Sequence, residues 1–207
     1  MSDNSFLRLF PTPVTFANVA DAAALNGELM AAIETLMAEG PGPAPRNWVS
    51  NAYTSVEADP RLHHRDAFAD ITEIAAAEIA RFADVLGIDA ERGGAFVEHC
   101  WANVVDRGQS IGAHTHANSF ITAIYFVAAP DDGTTMLLYH PARDFGYSVP
   151  VDGANDLNRE ALRIPSKPGK MIIFESHIQH GFIQHDAEAR HAHLVFSAPW
   201  FAADAPG

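Results

Sequence analysis

Residues 108–128 have the sequence GQSIGAHTHANSFITAIYFVA, which joins a pair of histidines to an unbroken apolar run. The run over 118–128 is rich in β-branched and aromatic residues, so it predicts a buried strand. Turn-forming sequences such as Lys167-Pro168-Gly169 separate it from further runs of the same kind. Those runs lie over 95–105, 134–139, 163–164, 171–174, 180–184 and 191–201. The second half of the chain is therefore predicted to be a sandwich or barrel of short antiparallel strands.

The first half of the chain has the periodicity of helices. Apolar residues recur at three- and four-residue spacing over 22–39 and again over 66–86. The Gly-Pro sequence over 40–45 ends the first helix, because proline cannot continue it. We expect one domain over 1–207, mainly β with flanking N-terminal helices. Residues 1–94 are the helical support and residues 95–202 are the β core.

Composition narrows the classes of partner. The chain of 207 residues has 13 basic and 26 acidic side chains and a net charge of −13, which disfavours nucleic acid and anionic membranes as partners. Its single cysteine, Cys100, cannot form an internal disulfide and so favours a reducing, cytoplasmic compartment. No apolar run approaches the ~20 residues needed to span a bilayer. Among oligomers, a homodimer is the default expectation.

The histidines are concentrated in the β half of the chain. There are 11 of them in all. Residues two apart on a strand point to the same face, so His114 and His116 are predicted to aim two imidazoles into one space. His180, which follows a Pro-Gly turn and an apolar strand, is the best third metal ligand. Its rival His177 lies three residues earlier and so on the opposite face. The alternative is that the pair is solvent-exposed on an edge strand.

Three stretches together resemble a known family, the 2-oxoglutarate/Fe(II) oxygenases of bacteria and phages. They are Trp101-Ala-Asn103, the segment from Gly108 to Pro130, and the segment from Pro168 to His180. The resemblance implies a double-stranded β-helix, the jelly-roll or cupin-like barrel. It also implies Fe(II), 2-oxoglutarate as cosubstrate, and hydroxylation of a small-molecule or peptide substrate, with no catalytic residues apart from the metal ligands.

The same resemblance assigns the site residues. His114, His116 and His180 would hold the iron, although His116 stands where the wider superfamily has a carboxylate. A basic residue on the last strand would bind the far carboxylate of 2-oxoglutarate, and Arg190 lies ten residues after His180. Counting back from Phe196 would instead place His191 and His193 at the positions where the family has an arginine and a serine. Because Arg190 and His191 cannot both point inward without a bulge, we favour Arg190. Tyr125 and Asn103 are further predicted contacts of the cosubstrate.

Two other functions remain open. The spacing of Gly108 and the histidine pair also fits the first cupin motif, although the glutamate expected a few residues later is missing. A cupin-like enzyme with three histidine ligands would act without 2-oxoglutarate. A non-enzymatic binding module, in which the imidazoles are structural, would hold no stoichiometric metal.

Overall fold

The computed structural model describes residues 9–40, 45, 50–131, 134–141 and 150–203. These residues contain two α-helices, twelve β-strands and two single 3-10 turns at Leu62–His64 and Asp66–Phe68. The helices are α1 (Ala22–Glu39) and α2 (Ala69–Val85). The strands are β1 (Val14–Asn18), β2 (Tyr53–Thr54), β3 (Gly93–Ala95), β4 (His99–Val105), β5 (Ile111–His114), β6 (Ile121–Ala128), β7 (Thr135–Tyr139), β8 (Ala161–Pro165), β9 (Lys170–Glu175), β10 (His180–Phe182), β11 (His191–Ala198) and β12 (Trp200–Ala202).

Two antiparallel sheets face each other and form the barrel. The larger has six strands in the order β1-β9-β6-β11-β4-β2, and the smaller has four in the order β5-β10-β7-β8. The short pair β12-β3 lies apart from them. The predicted mainly β architecture, a double-stranded β-helix, is confirmed. The first third of the chain is more than a helical support, because β1 and β2 extend the six-stranded sheet at its two edges.

The central strands of the larger sheet are buried on both faces. Along β6, Ala123 and Tyr125 belong to the apolar core shared with the helices, whereas Ile124 and Phe126 belong to the core between the two sheets. Every residue of β11 is buried in the same two-sided way. A strand covered on both faces has no polar alternation, which is why these strands appear as continuous apolar runs.

Both helices pack on the outer face of the larger sheet. Leu29 and Ile33 of α1 and Ile79 and Phe82 of α2 are completely buried against it. The predicted helix over 66–86 is shorter in the structure, since its first three residues form a 3-10 turn. Val85, whose spacing predicts burial, is 69% exposed at the end of α2. The helices thus close one side of the sheet and leave its inner face to the site.

Candidate metal centre

Strands β5 and β10 of the smaller sheet bring two of the predicted ligands together. His180 pairs directly with His114, and the register shifts before the next pair, Phe182 with Ile111. Gly181 lies at this irregularity, where a Cβ atom would come within 2.7 Å of the Ile111 carbonyl oxygen. The close approach of the two backbones therefore depends on a residue without a side chain.

His116 joins this pair from the loop that follows β5. Its backbone N–H donates a 3.2 Å hydrogen bond to the Ser176 carbonyl, which ties the loop to the segment after β9. One ring nitrogen from each of His114, His116 and His180 lies within 4.8 Å of the others, so the three could hold one metal ion. We call these three residues the histidine cluster. The strand pattern predicted correctly that His114 and His116 point into one space. It did not predict that His116 lies in a loop, because β5 ends at His114.

Each imidazole of the histidine cluster has its Nδ1 atom engaged by an oxygen. His114 Nδ1 lies 2.9 Å from the Gly112 carbonyl oxygen, and His180 Nδ1 lies 3.0 Å from the Ile178 carbonyl oxygen. His116 Nδ1 lies 2.9 Å from the hydroxyl oxygen of Thr122. Carbonyl oxygens only accept, so the Nδ1 atoms of His114 and His180 carry the hydrogen and their Nε2 lone pairs are free. An acceptor on the second ring nitrogen is how proteins orient histidine ligands of a metal.

The oxygen that accepts from His116 belongs to a buried series of hydroxyls. Thr122 Oγ1 lies 2.7 Å from Ser176 Oγ, which donates to Ser119 Oγ at 2.9 Å. Ser119 Oγ in turn donates to the Ile121 carbonyl at 3.2 Å. If each hydroxyl donates once and accepts once, Thr122 donates to Ser176 and is left to accept the Nδ1–H of His116. We call these three hydroxyls the hydroxyl relay.

His116 Nε2 is left buried without a hydrogen-bond partner in the structure. A buried imidazole nitrogen without a partner is costly unless something else occupies its lone pair. The arrangement thus fits a divalent metal held by three neutral imidazoles, a donor set that suits iron as well as zinc, copper or nickel.

Burial keeps these imidazoles neutral, as metal ligation requires. Burial, with smaller effects of His180 and His114, lowers the pKa of His116 to about 2. Burial likewise lowers the pKa of His180 to about 3 and also lowers that of His114. At neutral pH all three are free bases.

The histidine cluster is apolar on one side and open on the other. The Trp101 ring lies edge-on to His116 with centroids 5.1 Å apart, and Phe174 lies 5.0 Å from His180. Residues 112 and 113, Thr115 and residue 117 are exposed. A ligand can therefore approach along the segment that follows β5, while the inner side of the barrel excludes water.

The structure does not bring Tyr125 to the histidine cluster. It lies on the helix-facing side of β6, where its hydroxyl donates a 2.7 Å hydrogen bond to Asn26 Oδ1 of α1. Burial raises the pKa of this phenol to about 12. Its position departs from the predicted cosubstrate contact because residues of odd number on β6 face the helices.

Arg190 is also outside the barrel. It precedes β11, its side chain is 48% exposed, and its Nε donates to Asp106 Oδ1 at 2.9 Å. The residues of β11 that face the interior are His191 and His193, the alternative that counting back from the later phenylalanine had left open. His191 and His193 lie two residues apart on a strand whose register with β4 is unbroken, so they share one face; the register shift against β6 between Ala192 and His193 places the extra residue on β6.

Asn103, the remaining predicted contact of the cosubstrate, lies buried on β4 and faces His193 of β11. Its Nδ2 lies 3.0 Å from Nε2 of His193. The rival ligand His177 is exposed in the turn after β9 and is not part of the histidine cluster. Cys100 faces the helices and is completely buried, and burial raises the pKa of its thiol well above the usual value. A nucleophilic role for Cys100 is thereby disfavoured.

The hydroxyl relay was not predicted from the sequence. Thr122, Ser176 and Ser119 are brought together by the pairing of β6 with β9 and by the turn that follows. A possible signal was a threonine at an inward position of an otherwise apolar strand, since a buried hydroxyl needs a partner.

Comparison with known proteins agrees with this geometry. Residues 99–197 match the family described as "Putative 2OG-Fe(II) oxygenase". No curated protein matches the chain in sequence. No helix among the described residues is long and apolar enough to cross a membrane.

Solved structures with the same fold include three oxygenases. A prolyl hydroxylase from Trichoplax adhaerens, in complex with a hypoxia inducible factor peptide fragment, is 14% identical with a TM-score of 0.62, covering 89% of this chain and 82% of its own. A prolyl-4-hydroxylase from Pseudomonas putida is 15% identical with a TM-score of 0.60, covering 91% and 92%. HygX from Streptomyces hygroscopicus, with nickel and 2-oxoglutarate bound, is 12% identical with a TM-score of 0.57, covering 91% and 83%. Residues 99–197, which carry the histidine cluster and most of the barrel, are thus similar to the 2OG-Fe(II) oxygenase family.

Proposed function

We propose that the protein is an Fe(II)- and 2-oxoglutarate-dependent dioxygenase in which His114, His116 and His180 hold the iron. The observation that carries this assignment is the shared geometry of the three imidazoles. The Nδ1 of each lies within 3.0 Å of an oxygen atom, which leaves every Nε2 for the metal. Histidines on an exposed edge strand would not have this common orientation.

The charge of the site supports a dianionic cosubstrate. Three neutral imidazoles leave the two positive charges of Fe(II) unbalanced, whereas a 2-His-1-carboxylate site balances one of them. 2-Oxoglutarate is a dianion at neutral pH. Its binding would neutralise the metal beside the rings of Trp101 and Phe174, which contact His116 and His180.

When bound, iron and 2-oxoglutarate supply oxidative chemistry. Dioxygen gives one oxygen atom to succinate and one to the substrate, and carbon dioxide is released. The chain's own contribution is orientation and exclusion of water. The hydroxyl relay fixes the ring of His116, the backbone carbonyls of Gly112 and Ile178 fix the other two rings, and the aromatic side keeps the reaction dry.

The open side of the histidine cluster admits the primary substrate. The similar Trichoplax enzyme was crystallised with a peptide fragment. A peptide or a small molecule suits this protein also, since the chain's net charge of −13 would repel nucleic acid. The single buried cysteine supports a reducing compartment such as the cytoplasm.

The test compares two histidines three residues apart. Metal-free wild type, His180→Ala and His177→Ala are equilibrated with Fe(II) without oxygen, and the iron per chain is measured. The samples then receive oxygen, ascorbate as reductant and 2-oxoglutarate labelled at its 1-carboxylate, and the released carbon dioxide is counted. We expect one iron per chain and 2-oxoglutarate-dependent release from wild type and His177→Ala, and neither from His180→Ala.

Two results would contradict the proposal. Iron binding that survives in His180→Ala would exclude the ligand assignment. Stoichiometric iron in wild type without any decarboxylation or binding of 2-oxoglutarate would favour the cupin-like alternative, which the all-histidine donor set also allows.

A further inference from the structure

A second group of polar side chains lies inside the barrel, apart from the histidine cluster. His191 and His193 on β11 are 0% and 1% exposed, and Asn103 on β4 is 4% exposed. Asn103 Nδ2 lies 3.0 Å from His193 Nε2, and His193 Nδ1 lies 3.1 Å from His191 Nε2. We call these three residues the imidazole chain. Buried polar side chains are retained only where hydrogen bonds or ligands satisfy them.

The hydrogen bonds fix where the protons lie. An amide nitrogen only donates, so His193 Nε2 accepts from Asn103 and His193 carries its hydrogen on Nδ1. That hydrogen is donated to His191 Nε2. His191 therefore carries its own hydrogen on Nδ1, and this buried atom has no partner. Asn103 Oδ1 at the other end also has none. The imidazole chain thus ends in a buried N–H donor, on Nδ1 of His191, that has no acceptor in the structure.

The imidazole chain faces the same interior as the histidine cluster. Phe182, two residues after His180 on β10, stacks on the His193 ring at 4.4 Å and lies 5.3 Å from the His191 ring. Two strand residues span ~6.6 Å. Burial lowers the pKa of His193, and His191, His180 and His114 lower it further by smaller amounts. Phe182 thus links the two groups, since it follows His180 on β10 and its ring packs against both rings of the imidazole chain.

None of the lysines and arginines that the structure describes is buried beside the imidazole chain. Each of the ten lysines and arginines that the structure describes is at least partly exposed. The nearest in sequence, Arg190, pairs with Asp106 at the surface. The only other described titratable group next to His191 is His185, with ring centroids 6.2 Å apart. His185 already accepts from the Thr134 N–H and lies 2.7 Å from the Ala189 carbonyl oxygen, so it is satisfied as a neutral ring. The rings of Phe126 and Phe182 cover the remaining sides of His191.

We propose that the imidazole chain receives the far carboxylate of 2-oxoglutarate and that His191 takes up one proton from solvent when it does. The inference rests on the proposed function and adds a property of this chain, which is that cosubstrate binding is coupled to a proton. A buried carboxylate without a cation would be strongly unfavourable. Among the described residues, the imidazole chain is the group placed to supply that charge.

The proton can be accommodated with no net loss of hydrogen bonds, because the bond from Asn103 Nδ2 to His193 Nε2 is replaced by one in the opposite direction. His191 would donate Nδ1–H to the carboxylate and the new Nε2–H to His193 Nδ1. His193 would move its hydrogen to Nε2 and donate it to Asn103 Oδ1 after the amide turns over. One proton enters, His191 becomes the cation, and the previously unpartnered Asn103 Oδ1 gains a donor. Burial and His185 lower the pKa of His191 to about 3, so His191 is neutral before the carboxylate arrives.

Calorimetry measures this proton directly. Anaerobic Fe(II)-loaded protein is titrated at pH 7.5 with 2-oxoglutarate in two buffers of different ionisation enthalpy, and the difference in heat gives the number of protons taken up. The control ligand is 2-oxobutyrate, which has the same 2-oxo acid end but no far carboxylate. We expect close to one proton for 2-oxoglutarate and none for 2-oxobutyrate. The Kd for 2-oxoglutarate should rise about tenfold per pH unit between the pKa that His191 has in the free protein and the higher pKa that it has in the complex, and should level off above the latter.

Two variants separate the candidates for the anchor. His191→Arg supplies a permanent charge, so its binding should take up no proton and lose the pH dependence. Arg190→Ala should keep the wild-type Kd and proton count. Binding of 2-oxoglutarate to wild type without proton uptake, or equal uptake with 2-oxobutyrate, would overturn this inference and leave the proposed function standing. Absence of any 2-oxoglutarate binding would overturn both.

Discussion

Replacement of Thr122 by valine tests how the ring of His116 is held. Thr122 is completely buried, and its hydroxyl lies 2.9 Å from His116 Nδ1. Valine has nearly the same shape but no acceptor. In the metal-bound protein Nε2 of His116 would be committed to the metal, so its Nδ1–H would be left buried without a partner. That loss costs about 1–3 kcal/mol, and changes of this kind typically weaken metal binding about 10- to 100-fold.

The measurement is an anaerobic Fe(II) titration in competition with a chromogenic chelator. Thr122→Ser is the matched control, because it keeps the hydroxyl and removes one buried methyl group. We expect Thr122→Ser to bind Fe(II) like wild type while losing about 1 kcal/mol of folding stability. Thr122→Val should bind Fe(II) more weakly than wild type, without the loss of folding stability expected for Thr122→Ser. Equal Fe(II) affinity in wild type and Thr122→Val would refute a role for the hydroxyl relay in positioning His116.

Four further predictions follow from the structure. Tyr125→Phe should lower the free energy of unfolding by about 1 kcal/mol through loss of the bond to Asn26 and leave 2-oxoglutarate affinity unchanged, so altered affinity would contradict the helix-facing position. Phe82→Ala should cost about 3–5 kcal/mol in urea unfolding; a loss below 1 kcal/mol would mean that α2 is not packed as described. Arg190→Ala should change stability by no more than about 1 kcal/mol, because its ion pair is half exposed, which thermal unfolding in low and high salt would check. Because the pKa of His191 is about 3 in the folded protein and about 6.5 when unfolded, the unfolded state binds the proton first as pH falls. Metal-free protein should therefore lose up to about 2 kcal/mol from this residue between pH 6.5 and 5, and a His191→Gln variant with the same pH dependence as wild type would argue against it.

The fold could be predicted from the sequence because its signals are local. Strand-forming runs with intervening turns gave the barrel, and three- and four-residue spacing gave the helices. The histidine cluster could also be predicted from the sequence, because His114 and His116 are two residues apart and His180 follows a recognisable strand. In each case the informative residues lie close together in the chain.

The far end of the site was harder to predict because β6 and β11 are buried on both faces. The apolar sequence of β6 has no polar alternation, so nothing local shows that Tyr125 faces the helices. On β11, by contrast, His191 and His193 alternate with apolar residues, a local sign that the two imidazoles share one face. The orientation of β11 in the barrel follows from its pairing with β4, whose register is continuous from His191 to Ser197. The hydroxyl relay was invisible for a similar reason, since Thr122 and Ser176 meet only through the pairing of β6 with β9.

The most direct test of iron and 2-oxoglutarate at the histidine cluster is spectroscopic. Fe(II) is added to metal-free protein without oxygen, and 2-oxoglutarate is then titrated while the visible absorption is recorded. A saturable charge-transfer band at one iron per chain, present in His177→Ala and absent in His180→Ala, is the predicted result. Bound iron with no band at any 2-oxoglutarate concentration would contradict the account.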